Sequence, residues 1–422
     1  MAHALLVLVA DSDAGRCGGV HVEQVGGGPG DAVHSSWLEL SASHLKHNVA
    51  AFRALESSGP TPRALGVVLK GNAYGHGLAQ VLPLVHAGVD VLYFIAPQDA
   101  LTVRAYEAAH GLPPRQVLVL GAVAPEEAVV LARQGIDVVV ADGSWADAVT
   151  GLRAAKLPRP LRVHVHVDTG LGREGFTLDQ LPNQTRFLAD APDVFDTVGV
   201  LSHFANTEDV TEQGYALAQL DAFETGIARL TEQLKPARPL QRHIAASAAA
   251  LVLPRARYES SRVGISLYGL WPSPETRLSA RLVLGTLPVL KPVLSWRCRS
   301  QVVKWLPAGS YVGYGCTYRC SEPTRLAVLP VGYYDGYPRL ASGKAHVLVN
   351  GRRCAVLGRV MMNHLMVDVT HATADERPVT ATLLGRDGEE SVSAESLAGW
   401  AQTIHYELLT RLGAHLRRVV VE

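Results

Sequence analysis

Two textures divide the 422-residue chain and predict an α/β protein, a (β/α)8 TIM barrel over residues 36–275 followed by a mainly β C-terminal domain over residues 276–422. The first observation is an alternation. From Trp37 to about Pro272, short apolar runs rich in β-branched residues alternate with longer stretches whose apolar positions recur every 3.6 residues, the pattern of βα units around a parallel sheet. The second is that these runs number eight, which closes a barrel whose catalytic groups sit at the C-terminal ends of its strands. The third is the change, after a Pro-rich connection from Pro272 to Pro292, to short alternating strands with turns.

Taken in order, residues 1–35 read as a leader, with a Gly-rich stretch at 26–30 that suits a flexible connection. Its apolar run at 4–10 is too short to span a membrane, and the absence of basic residues before it disfavours a signal peptide. The eight strand runs are ALGVVL (64–69), VLYFIA (91–96), QVLVLG (116–121), DVVVA (137–141), RVHVHVD (162–168), TVGVLSH (197–203), RHIAAS (242–247) and SRVGISLYG (261–269). Helices are predicted at 44–55, 77–87, 98–110, 125–133 and 219–234. In the second domain SWRCRSQVVKWL, RLAVLPVG, AHVLVNGRRCAVLG and HLMVDVT read as strands, with Asn350-Gly351 suited to a tight hairpin turn.

Hydrophobic residues make up 48% of the chain and charged residues 18%, the balance of a globular protein rather than a disordered or fibrous one. Lys plus Arg and Asp plus Glu both total 39, so no global field favours nucleic acid or an anionic membrane. Any anion must be held locally. The five cysteines, Cys17, Cys298, Cys316, Cys320 and Cys354, lack the spacing and partners of a zinc site and read as reduced thiols of a cytoplasmic protein, so no metal is expected.

The chemistry is sought at strand ends, and one strand ends on a lysine. LGVVLKGNAYGHG (65–77) is an apolar strand, then Lys70, then a Gly, Asn and His turn. Burying an amine is costly unless it is paired or covalently used, and desolvation lowers its pKa so that it can attack a carbonyl such as that of an aldehyde cofactor. From the strand alone, a lysine snorkelling at a barrel rim is an equal reading.

VVLKGNAYGHG resembles the pyridoxal phosphate (PLP) lysine signature of the alanine racemase family, fold-type III PLP-dependent amino-acid racemases. The resemblance continues in order through HVDTGLGREGF (166–176), VGVLSHFANTED (198–209), HIAASAAA (243–250), SRVGISLYGLWPS (261–273), VGYGCTY (312–318), PVGYYDGYPR (330–339) and GRVMMNHLMVDVT (358–370). It implies PLP as cofactor and racemisation of a small amino acid, L-alanine to D-alanine, by a cytoplasmic homodimer that supplies a cell-wall precursor. Removing Cα–H from one face and returning a proton on the other needs two acid/base groups. The resemblance assigns these to Lys70 and Tyr314, with Tyr314 completing the partner's site. A phenol with an ordinary pKa of about 10 needs a nearby cation to act as phenolate, and His203 matches the histidine that does this. Tyr74, Ser247, Gly264, Ile265 and Tyr406 match the phosphate contacts. Arg262 matches the donor to the pyridine nitrogen, whose permanent charge leaves that nitrogen unprotonated and favours reprotonation over side reactions. Arg173, Tyr333 and Met362 match substrate-positioning residues. Taken singly, Tyr314 equally suits a half-buried turn aromatic, Arg262 a surface ion pair, Ser247 a plain strand end and Met362 core packing.

Three positions depart from the family pattern. His166 stands where the family commonly has a lysine, carbamylated in many members; Asn363 replaces a common Asp; Ala246 replaces an Asn. A neutral imidazole cannot supply the carbamate's charge, so Arg173 is oriented by another group or by His166 accepting its hydrogen bond. Pocket changes of this size discriminate by only ~1–3 kcal/mol, which leaves serine or broad amino-acid specificity open. A PLP decarboxylase of the same architecture is disfavoured by the VGYGCTY and GRVMMNHLMVDVT blocks, and a non-catalytic single-barrel PLP carrier by the second domain.

Overall fold

The computed structural model of the protein describes residues 35–59, 62–208 and 211–422. All but the last residue of the leader expected over 1–35, Cys17 included, lies outside them. A first strand, β1 (Ser36–Ser41), leads into a helix at Ala42–Glu56. The eight barrel strands follow as β2 (Ala64–Val68), β3 (Val91–Phe94), β4 (Gln116–Val119), β5 (Asp137–Val140), β6 (Leu161–His166), β7 (Phe195–Leu201), β8 (Gln241–His243) and β9 (Ser260–Val263).

These strands pair in parallel in the order β8-β7-β6-β5-β4-β3-β2-β9. The ring closes through a parallel bridge between Ala246 and Arg262 and the bond from Arg262 N–H to Ala245 O at 2.9 Å. The eight predicted runs are the eight barrel strands, and each predicted helix lies within a residue or a few of an observed one, Pro125–Arg133 included. Continuous burial of Val91–Phe94 and Asp137–Val140 reflects strands covered on both faces, by the barrel interior and by the helical ring. Two runs stop sooner than expected. RHIAAS turns at residue 247 into the helix Ser247–Val252, and SRVGISLYG turns at 265 into the 3-10 turn Ile265–Tyr268.

The second domain is a mostly antiparallel assembly of β10 (Leu294–Arg299), β11 (Val302–Leu306), β12 (Tyr311–Val312), β13 (Tyr318–Arg319), β14 (Thr324–Leu329), β15 (His346–Val349), β16 (Arg352–Leu357), β17 (Leu365–Asp368), β18 (Thr380–Asp387), β19 (Glu390–Val392) and β20 (Arg417–Val421). Its main sheet runs β11-β14-β17-β16-β15-β18-β10-β1-β20. Thus β1, expected as the start of the barrel unit, is a strand of the other sheet, antiparallel to β10 and parallel to β20. Its alternation of buried Leu38 and Leu40 with more exposed neighbours is the signature of a one-faced strand, which the sequence reading passed over. Asn350 and Gly351 hold φ of 50° and 71° between paired Val349 and Arg352, the two positive angles a tight primed hairpin turn requires. No helix among the described residues is long and apolar enough to cross a membrane.

Candidate active site

A cleft of about 180 Å³ opens at the C-terminal ends of the barrel strands, lined by Lys70, Tyr74, His166, Arg173, His203, Glu208, Ala246, Ser247, Arg262, Gly264, Ile265 and Tyr406 among others. Nine of the twelve residues singled out above for catalysis, cofactor or substrate, from Lys70 to Tyr406, therefore share one cleft with the substituted positions His166 and Ala246. Lys70 begins two residues beyond β2, where the strand's buried Leu65–Val68 stretch places it at the mouth. Desolvation, then the Arg173 and Arg262 charges, push its pKa below the ordinary lysine value against an opposing pull from Glu208. The amine is thereby made a better nucleophile and proton acceptor at neutral pH.

The floor of the cleft is polar and extensively hydrogen-bonded. Arg262 is buried; Nη1 lies 3.0 Å from His243 Nδ1, and Nη2 lies 3.1 Å from His203 Nδ1 and 2.7 Å from Ser202 O. A guanidinium only donates, so both imidazoles accept through Nδ1 and carry their proton on Nε2. His243 Nε2 then donates to His164 Nδ1 at 2.9 Å, and His164 Nε2 faces Asp137 Oδ2 across 3.5 Å. Asp137 also holds Arg162 at 2.7 Å. This buried relay crosses the barrel from the strand starts to the cleft. Burial lowers the Arg262 pKa to about 10, which leaves it charged at neutral pH.

At the other end of the cleft, Ser247 Oγ accepts from Gly264 N–H at 2.9 Å. A Cβ on Gly264 would lie 2.3 Å from Tyr74 Oη, so only glycine lets the phenol and the backbone meet there. Tyr406 Oη lies 3.1 Å from Glu208 Oε2. Hydroxyls, amides and a Cβ-free wall make a concave surface that suits a phosphate, while the amine and guanidinium suit an aldehyde and a ring nitrogen; the residues present fit PLP.

His166 is the last residue of β6 and, two residues after His164, shares its inward face. Its Nδ1 is buried without a partner, and burial, then Arg262 and Arg173, lower its pKa to about 4, so the ring is neutral. Arg173 stands beyond it on the loop of the DTG block. Asp168 Oδ1 organises that loop by accepting from the N–H groups of Gly170, Leu171 and Gly172, and the chain returns to His166 O through Phe176 N–H at 2.9 Å. The Arg173 guanidinium is half exposed, with Glu174 at 3.6 Å.

Tyr314, Tyr333 and Met362 lie elsewhere, in a separate cleft of the β domain of about 410 Å³ with Arg339, Arg359 and Asn363. Tyr314 is 70% exposed on a turn between β12 and β13. The cleft holding it contains none of the barrel residues. Within one chain Tyr314 and His203 stand in separate clefts, and burial, then Arg262 and Arg173, lower the His203 pKa to about 3, so it is a neutral ring bound to Arg262. Arg339 and Arg359 line the same cleft as Tyr314, and the Arg359 Cζ lies 3.0 Å from where a Cβ on the neighbouring Gly315 would sit.

Residues that the sequence reading passed over are His243, His164, Asp137, Glu208 and Arg359. Signals existed: His164 alternates with His166 inside RVHVHVD, and His243 opens the quoted HIAASAAA block, but a buried histidine in a strand usually reads as core.

Comparison with known proteins places this architecture. Residues 40–272 match the family model described as alanine racemase, N-terminal domain, and residues 293–420 that of the C-terminal domain. An alanine racemase of Leptospira interrogans is 37% identical over 396 residues, covering 92% of this chain and 97% of its own. One of Symbiobacterium thermophilum is 36% identical, again covering 92% and 97%. Among solved structures, the alanine racemase of Streptomyces coelicolor A3(2) superposes with a TM-score of 0.82 at 32% identity, covering 93% of this chain and 100% of its own. That of Bacillus anthracis, solved with bound L-Ala-P, gives 0.81 at 28% identity over 92% and 95%. With two matched domains in the same order and one cleft holding the lysine, the buried arginine and the serine-glycine cradle, the chain belongs to the alanine racemase family, PLP-dependent isomerases of amino acids.

Proposed function

We propose that the protein interconverts L- and D-alanine with PLP held on Lys70, as a cytoplasmic homodimer whose product serves as a cell-wall precursor. The observation that carries this reading is the placement of Lys70, with a lowered pKa, in one cleft with Arg262 and the Ser247–Gly264 cradle. Bound PLP supplies an electron sink that acidifies the substrate's Cα–H. Every other step belongs to the chain. Ser247, Tyr74, Tyr406 and the Gly264 and Ile265 amides hold the phosphate; Arg262 donates to the ring nitrogen and, remaining charged, does not surrender a proton to it. Neutral His203 lies beside Arg262, accepting its hydrogen bond in the same cleft. Arg173 takes the substrate carboxylate.

Lys70 Nζ moves a proton at one face of Cα. The opposite face needs a second group, and among the described residues of a single chain the lining of the cleft offers no exposed phenol there beyond Tyr74 and Tyr406, which are assigned to the phosphate. The partner's Tyr314 fills that role in this reading, brought in with Tyr333 and Met362 on the same exposed face. Dimerisation excludes water from both half-sites at once.

Purified protein reconstituted with PLP is expected to convert L-alanine to D-alanine and to exchange the α-hydrogen of either enantiomer in D2O. A protein that binds PLP and exchanges serine or other amino acids faster than alanine would move the specificity to the broad reading that Ala246, Asn363 and His166 leave open. Sedimentation of the holoenzyme as a monomer with full activity would overturn the shared site.

A further inference from the structure

The turn that carries Lys70 has an unusual backbone. Gly71, Asn72, Ala73 and Tyr74 hold φ of 60°, 54°, 54° and 52°, and Gly75 follows at 80°. Side chains with a Cβ avoid this left-handed region, and when several successive residues occupy it the surroundings must hold them there.

Most of the turn's main-chain groups can be accounted for. Ala73 N–H donates to Leu69 O at 3.0 Å, Gly75 N–H to Gly71 O at 2.9 Å and Gly77 N–H to Asn72 O at 2.9 Å. His76 Nδ1 lies 3.1 Å from Ala73 O and 3.0 Å from Tyr74 O, and its burial lowers its pKa to about 4, so a neutral ring donates there. The Gly75 carbonyl takes both Nε and Nη2 of Arg418, at 3.0 and 2.8 Å.

Arg418 comes from β20, the last strand of the other domain, 343 residues away. Its Nη1 bonds Leu416 O at 2.8 Å, and among the described residues it forms no ion pair with a carboxylate. A guanidinium spent on carbonyls fixes geometry rather than balancing charge. The fit is close: a Cβ on Gly75 would meet Leu409 O at 1.9 Å, and one on Gly77 would meet Arg418 Cδ at 2.6 Å. Relaxing the turn to a right-handed course would swing Lys70 and Tyr74 together, because both lie on it.

We infer that Arg418 is a positioning residue for Lys70, clamping the Gly75 carbonyl so that the left-handed turn aims the lysine amine and the Tyr74 hydroxyl into the barrel cleft. The inference rests on the reading that Lys70 carries PLP. It makes the second domain's final strand a part of the cofactor site within its own chain.

The test uses full-length Arg418→Met, which keeps a stem of similar length without donors, and Arg418→Lys, which keeps the charge and one point donor. Hydrogen exchange of the peptide covering 70–78 is read in the PLP-free protein, and the pH midpoint of the visible absorbance and PLP retention in the loaded one. For Arg418→Met we expect turn amides to exchange about tenfold faster or more and PLP to be held about tenfold more weakly, the loss of a charged hydrogen bond. The absorbance midpoint should also move, while exchange in β14 and β17 stays as in the parent. Arg418→Lys should recover part of each change. Unchanged turn exchange and an unchanged midpoint in Arg418→Met overturn the inference; if that variant does not fold, the same result in Arg418→Leu, which likewise lacks donors, does. Should the parent's visible absorbance survive Lys70→Ala, the reading of Lys70 fails instead, which the exchange data in the PLP-free protein distinguish.

Discussion

Arg262 and His243 meet at 3.0 Å beneath the cleft, and because the arginine can only donate, that one contact fixes the tautomer of His243 and through it that of His164. The arginine is thus held from below by a chain of neutral rings ending on Asp137. Burial raises the Asp137 pKa, but hydrogen bonds from His164 and Arg162 and the Arg162 charge outweigh it and hold the carboxyl at about 2. Truncating His243 to Ala takes from Arg262 Nη1 one of its two acceptors, leaving the His243 carbonyl, and from His164 Nδ1 its donor, in a buried site. The expected cost is about 3 kcal/mol of stability in urea unfolding, with weaker PLP binding in step. A His243→Ala variant as stable as the parent would show that the relay does not hold Arg262.

Lys70→Ala should remove the visible absorbance of lysine-held PLP and lower racemisation by at least about 10³-fold, within the range lost when an acid/base group is deleted. Its melting temperature should change little, because Lys70 sits at an open cleft mouth rather than in the core. Absorption spectra and a D-alanine assay on one preparation decide it.

Tyr314→Phe removes one oxygen from a side chain that is 70% exposed in the single chain. Stability and PLP content are expected to be unaltered. Exchange of the α-hydrogen should fall by about 10²- to 10⁴-fold for one enantiomer more than for the other, since each base serves one face. Equal and undiminished exchange of both enantiomers in D2O would remove Tyr314 from the proposal.

Acid should loosen the PLP-free protein early. Burial lowers the pKa of His76 and His166 to about 4 and of His203 to about 3, and pushes His243 well below the ordinary value. Between an unfolded pKa near 6.5 and these folded values the unfolded chain binds more protons, so stability is fully present above about pH 6.5 and falls as the pH drops toward 4. Each ring removes up to about 1.4 kcal/mol per pH unit across its window. Chemical denaturation at pH 7, 6 and 5 should show that slope, and His76→Gln should flatten it.

Much of the barrel was legible in the chain because strand and helix periods differ and the eight apolar runs are buried on both faces. Lys70, Ser247 and Arg262 could be assigned because each sits in a motif at a strand end. The domain of β1 was not legible, since pairing with β10 and β20 depends on contacts more than 250 residues away. The polar chain under Arg262 was equally hidden: Asp137, His164 and His243 lie on three different strands, and only barrel closure makes them neighbours. The state of His203 in the single chain was hidden for a related reason. Its charge state is set by Arg262, which the sequence places 59 residues further on.

The departure at His166 gives the last prediction. His166 Nδ1 is buried without a partner and neutral, and Arg173 on the adjoining loop has a distant, partly exposed carboxylate at 3.6 Å as its ion-pair partner. A neutral acceptor can take a hydrogen bond from a guanidinium without fixing it by charge, so Arg173 retains freedom to meet carboxylates of somewhat different placement. His166→Asn keeps a neutral acceptor and should preserve the alanine-to-serine preference within about threefold. His166→Leu removes the acceptor and leaves Arg173 unsupported, which should raise KM for alanine about tenfold with a smaller change in kcat, as expected when a group acts on substrate placement rather than on proton transfer. Steady-state kinetics with both amino acids separate the two; an unchanged KM in His166→Leu would mean that Arg173 is oriented by something other than this ring.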